Sequence, residues 1–187
     1  MELTGQRLIP APVQRTWDAL NDPEVLKACI AGCESLERDG DNAFNAALAV
    51  RVGPVAARFK GRLRLADVQP PTRYTIHFDG QGGAAGFGKG SAEVTLEPEG
   101  DATKLVYVAR ATVGGKIAQV GSRLVDAAAG KVAQDFFVAF EGRLTAEAAP
   151  VGAAESAAPA AASRRVPVWW WAVGVAVALA LGYLLRR

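Results

Sequence analysis

Histidine, cysteine and methionine are nearly missing from this chain: its 187 residues include one His, two Cys and one Met. A single imidazole, His77, leaves no second histidine for a metal site, and Cys29 and Cys33 are too few for a disulfide framework. The stretch CIAGC spaces these thiols so that a helix would carry both on one face. A zinc or iron–sulfur site needs further nitrogen or sulfur ligands, and only His77 is left to supply one. The cysteines therefore read as small buried hydrophobes. Net charge is missing too, since residues 1–145 hold 17 basic and 17 acidic side chains. No overall field draws a polyanion, so nucleic acid is not an expected partner. The opening MELTGQRLIPAPV has no basic leader followed by an apolar stretch, so nothing directs the following residues out of the cytosol.

Charge is absent in a different way near the C-terminus. Between Arg164-Arg165 and Arg186-Arg187, Val166 to Leu185 forms an uncharged run, VPVWWWAVGVAVALALGYLL. At ~1.5 Å per residue this helix would measure about 30 Å, the thickness of a bilayer's hydrocarbon core. Trp169, Trp170 and Trp171 near one end and Tyr183 near the other suit the headgroup level. Residues 164–187 are expected to be a transmembrane anchor with the globular domain on the cytoplasmic side of the cell membrane. Residues 146–163, AEAAPVGAAESAAPAAAS, read as a linker, because Pro150 and Pro159 break a continuous helix.

Residues 1–145 alternate as a domain. Glu2 to Ile9 reads as a strand. Pro12 opens a short helix with Val13, Trp17 and Leu20 on its apolar face, and a second short helix covers Glu24 to Ile30. Period-two strands follow near 34–38, 43–52, 57–68, 73–80, 89–97 and 103–113. A long helix from Lys116 to Leu144 completes the domain, with Ile117, Val120, Leu124, Ala128, Val132, Phe136, Phe140 and Leu144 on its stripe. The order implies an α+β helix-grip fold: a curved seven-stranded antiparallel sheet around a long C-terminal helix.

Three motifs have no catalytic context. His77 shares a strand face with Thr75 and Asp79, away from Tyr74, Ile76 and Phe78, and neither Ser91 nor Ser122 has nucleophile surroundings. In GQGGAAGFGKGS, Lys89 is followed by Gly90 and a strand instead of the Ser/Thr and helix of a phosphate loop. It reads as a flexible strand connection, or in a sharper form as a movable pocket lip with Phe87 as its apolar member. Arg58, Lys60, Arg62 and Arg64 line one strand face, either as a solvated surface or as a dock for an acidic partner or anionic lipid.

The inward parity collects Phe44, Leu48, Phe59, Leu63, Phe78 and Tyr107 among small residues such as Gly61, Ala92, Ala109 and Ala111. Small side chains facing Gly121 and Ala128 of the helix leave a cavity, or let the helix settle deeper; the residues leave both open.

The segments PAPVQRTWDALNDPEVLKACIAGCESLE and GFGKGSAEVTLEP, with the long helix, resemble the G-subunit family of carbon monoxide dehydrogenase, within the START-like (SRPBCC) superfamily. The likeness covers residues 1 to about 144, and Ala31 stands where that family has proline. An Ala/Pro linker and hydrophobic C-terminal segment are similar to many members. The resemblance favours the cavity and implies a non-catalytic accessory protein of a molybdenum carbon monoxide dehydrogenase or related hydroxylase. It implies a bound isoprenoid quinone, menaquinone or ubiquinone, with Phe44, Leu48, Phe59, Leu63, Phe78, Phe87, Tyr107 and Leu124 at the site. No covalent cofactor or metal is expected, and the soluble domain is expected to be monomeric. The alternatives are a recruitment adaptor without ligand and an enzyme of the superfamily's cyclase or hydrolase type, for which Tyr74 and Tyr107 are the only inward titratable groups identified.

Overall fold

The computed structural model describes residues 1–148. The expected linker beyond Ala148 and the expected anchor at 164–187 lie outside the described residues. No described helix is long and apolar enough to cross a membrane.

Strand β1 (Glu2–Ile9) leads into helices α1 (Val13–Leu20) and α2 (Pro23–Cys29). Pro23 starts α2 where its missing N–H costs nothing, and Asp22 Oδ1 accepts a bond from the Glu24 N–H at 2.9 Å. Six strands follow: β2 (Cys33–Arg38), β3 (Ala43–Val52), β4 (Val55–Gln69), β5 (Arg73–Gln81), β6 (Phe87–Glu99) and β7 (Ala102–Gly114). All neighbours pair antiparallel in the order β1-β7-β6-β5-β4-β3-β2, so the first strand returns beside the last.

The final helical segment is not the single expected helix. It is a short α3 (Lys116–Gln119) and a long α4 (Ser122–Ala148), separated at Gly121, whose φ of +98° suits glycine and interrupts the helix. Within α4 the expected stripe, taken in steps of four residues, drifts by about 40° per step from the buried face that Phe140 and Leu144 define. Val125 is buried, whereas Leu124 and Val132, both expected on the stripe, are 50% and 47% exposed. Gly121 is exposed at this break, where the unbroken pattern would have it face the sheet from within a helix.

The core falls into separate clusters. At one end of the sheet, here the closed end, Ile9, Trp17, Leu20, Val25, Tyr74, Leu96 and Leu105 pack with Phe137, Phe140 and Leu144 of α4. The Trp17 ring meets Tyr74 edge-on at 5.3 Å. Thr16 and Thr103 are also buried here, and both hydroxyls donate to the Ala11 carbonyl, at 3.3 and 2.7 Å. A second cluster gathers Leu36, Phe44 and Ala46 with Leu26, Leu48 and Leu63. A third, Val52, Ile117 and Val125 with Phe59, Val113, Val120 and Ala128, joins the β3–β4 hairpin end to α3 and the start of α4.

Candidate functional site

The sheet's inward surface is covered unevenly, and α4 explains why. Ala128 packs with Phe59 and Val113. Nine residues on, Phe137 stacks on Tyr107 at 5.3 Å. Between those two points α4 carries the half-buried Ala129, Gly130 and Ala133, and β7 carries the half-buried Ala111 and Ala109 between Val113 and Tyr107. Both stretches are made of small side chains. Gly61, Phe78, Ala92, Ala109 and Ala111 all remain half-buried on central strands, and none belongs to a core cluster. This midsection is lined by small side chains and lies outside the three buried clusters.

Three inward aromatics lie against glycines, two of them on the adjoining strand and one, Gly82, just past the end of β5. A Cβ on Gly82 would lie 2.6 Å from the Phe59 ring, one on Gly90 would lie 2.8 Å from Phe78 Cζ, and one on Gly5 would lie 2.5 Å from Tyr107 Oη. Gly90 and Gly5 are the direct register partners of Phe78 and Tyr107. A ring over a glycine lies close to the sheet. Tyr107 also stacks on Phe137 of α4 and Phe59 packs against the third cluster, so Phe78 is the one of these three rings outside the core clusters.

The expected site residues separate into groups. Phe44 is buried in the second cluster, with Leu48 and Leu63 half-buried beside it; Phe59, Phe78 and Tyr107 are the half-buried rings just described. Leu124 stands at a mouth, lining a depression of about 440 Å³ with Pro54, Val55, Lys116, Gln119 and Val120. Phe87 is placed apart. The glycine-rich stretch is mostly strand, with a single 3-10 turn at Gly83–Ala85, and Phe87 begins β6 on the parity of Lys89 and Ser91, its ring over Gly114. Backbone closeness explains two of these glycines: a Cβ on Gly86 would run into the Gly114 carbonyl and one on Gly90 into the Arg110 carbonyl.

The outer face is polar. Arg58, Lys60, Arg62 and Arg64 are all exposed, and two are tied: Arg58 to Glu34 at 2.8 Å and Arg62 to Asp39 at 2.6 Å. Further along, His77, Ser91, Arg110 and Glu2 form one cross-strand row in an open trough of about 870 Å³. Arg110 bonds Glu2 at 3.0 Å. The cysteines do not share a helix face: Cys29 ends α2 and Cys33 begins β2. Burial raises both thiols above their ordinary range, moderated by Arg143 and Lys27 respectively. No cluster of three metal-ligating side chains occurs among the described residues. Tyr74 is the one inward phenol that burial pushes far up, and Trp17 and its neighbours close it off from the midsection.

Sequence reasoning missed Arg7. Its strand alternates so that Leu3, Gly5, Arg7 and Ile9 face inward, and the Arg7 guanidinium lies over the Phe137 ring, 5.7 Å from its centroid. The alternation of β1 was the available signal.

The family model for the G subunit of carbon monoxide dehydrogenase (CoxG) matches residues 5–145. The chain belongs to that family. CoxG is an accessory subunit family, and membership implies association with carbon monoxide dehydrogenase. A conserved protein from Geobacillus kaustophilus is similar at 30% identity and a TM-score of 0.74, over 79% of this chain and 97% of its own. The Zhui aromatase/cyclase from Streptomyces sp. R1128 is similar at 16% identity and a TM-score of 0.62, over 81% and 98%. A START superfamily protein from Mycobacterium smegmatis matches at 15% identity and a TM-score of 0.59, over 78% and 98%. At such low identity, the last two likenesses show the helix-grip fold alone. No curated sequence matches the chain.

Proposed function

We propose that this CoxG-family chain is a non-catalytic carrier that holds an isoprenoid quinone between the sheet midsection and α4 and links a molybdenum carbon monoxide dehydrogenase, or a related hydroxylase, to the membrane quinone pool. The observation that carries it is the half-buried midsection of small side chains, with the Phe59, Phe78 and Tyr107 rings laid against glycines around it. A flat aromatic head suits such a layer: it packs on Phe78 with Phe59 and Tyr107 beside it, while its tail follows apolar side chains toward Leu124 and the depression there. The Tyr107 hydroxyl supplies a donor to a quinone carbonyl. Anchoring through residues 164–187 keeps the domain beside the bilayer, on its cytoplasmic side, and the leash shortens transfer between lipid and client.

Titrating a short-chain quinone into the full chain by calorimetry, in one non-ionic detergent throughout, tests the reading. Saturable binding is expected, and Leu63→Trp should abolish it by filling the space. Binding unaffected by that substitution would place the ligand elsewhere. Absence of binding by the parent protein would favour the adaptor reading, which draws on the exposed Lys60 and Arg64, neither within ion-pair distance of a described carboxylate.

A further inference from the structure

Arg7 is a cation on the inward face of an otherwise apolar layer. It is half-buried, and its guanidinium is occupied by the Phe137 ring and by no described carboxylate. The other face-to-face partner of Phe137 is Tyr107, whose phenolic oxygen lies against Gly5, two positions before Arg7 on the same face of β1. The Tyr107 hydroxyl makes no hydrogen bond to any described residue. Two donors without internal acceptors thus stand beside one aromatic ring, at the border between the packed closed end and the open midsection. Neither donor is a sealed, unsatisfied group, since no buried side-chain nitrogen or oxygen among the described residues lacks a partner; both are half-buried and open to an acceptor from water or from a ligand.

We infer that Arg7 and Tyr107 form a head-group subsite at the β1–α4 edge, taking an amphiphile whose head presents carbonyl or carboxylate oxygens. The inference rests on the carrier reading and fixes the ligand's direction: oxygen-bearing head toward β1, tail toward Leu124. A quinone carbonyl and a fatty carboxylate offer the same acceptor chemistry, and guanidinium serves either.

The test compares three probes on the full chain in one detergent: decylubiquinone, decanoate, and decylbenzene as the oxygen-free control. The parent should bind decylubiquinone roughly tenfold more tightly than decylbenzene, the scale of a charge-assisted hydrogen bond. Arg7→Met should erase that preference, Arg7→Lys should restore part of it, and decylbenzene affinity should stay unchanged in both. Gly5→Ala, which puts a methyl against the phenolic oxygen, should reduce the preference without touching the charge. Equal affinity of the parent for decylubiquinone and decylbenzene overturns the subsite while leaving the cavity in place. A larger Arg7-dependent gain for decanoate than for quinone supports the subsite and overturns the quinone assignment. If none of the three probes binds, the carrier reading fails and the subsite falls with it.

Discussion

The closed end and the midsection are made from the same sheet and the same helix, yet one is a solid core and the other is half-buried and lined by small side chains. At the closed end, α4 contributes Phe136, Phe137, Phe140 and Leu144, and α1 adds Trp17 and Leu20. Phe140 is fully buried, with Leu144 at 1% exposure. Two turns earlier, α4 offers only Ala129, Gly130 and Ala133 over a sheet floor of glycine and alanine. Bulky residues of α4 join the closed-end cluster, and Val125 with Ile117 joins the third cluster, so the two ends of the helical segment are the packed ones. Stability is concentrated at the ends, and small side chains lie between them.

The largest effect should come from the closed end. Phe140→Ala removes a fully buried ring from a region that has neighbours on every side and little freedom to collapse, so it should cost about 3 to 5 kcal/mol. Denaturant unfolding of the full chain measures it. A cost below about 1 kcal/mol would mean that the closed end is as loosely filled as the midsection, and the contrast would disappear.

An intermediate effect belongs to pH. Burial holds the Tyr74 phenol far above its ordinary value of 10.0. Because the folded-state pKa is raised, the associated stability is fully present below pH 10. It is lost as pH rises above that value, when the unfolded chain releases a proton that the folded chain keeps, at up to ~1.4 kcal/mol per unit. Unfolding free energies between pH 8 and 11 should therefore fall more steeply for the parent than for Tyr74→Phe. Identical slopes would show that the ring is reached by water, as the midsection rings are.

The sequence conveyed the floor of this layer better than its roof. Period-two alternation put Phe59, Phe78 and Tyr107 on one face correctly, because a strand side chain can point only one of two ways. The helix was harder to read. Its apolar stripe through Leu124 and Val132 followed steps of four residues, which drift by about 40° per step at 3.6 residues per turn and so leave the buried face within α4, while the break at Gly121 separates α3 from it. Phe87 illustrates another limit: crowded glycines resemble a loop, although here they let strands β5 and β6 coil tightly beside β7. Arg7 needed only the parity of β1, but a charged residue on a short edge strand is normally assigned to solvent. Nothing in the residue order shows that a ring on α4 lies beneath it.

The smallest stability effect, and the sharpest contrast, is expected from adding volume to the midsection. Ala109 pairs with Ala92 across β6 and β7, and both are half-buried on the inward face. In a close-packed core, converting such an alanine to leucine forces neighbours apart and costs typically about 1 to 3 kcal/mol. Here the added isobutyl group should enter existing space, so Ala109→Leu should change unfolding free energy by less than about 0.5 kcal/mol. The same substitution at Ala19, which lies buried at the closed end, supplies the control and should show the full overpacking cost. Quinone affinity decides what the space is for: loss of binding in Ala109→Leu with stability intact would assign the volume to a ligand. A penalty equal to that of Ala19→Leu would show that α4 already fills the midsection, and the carrier reading would lose its physical basis.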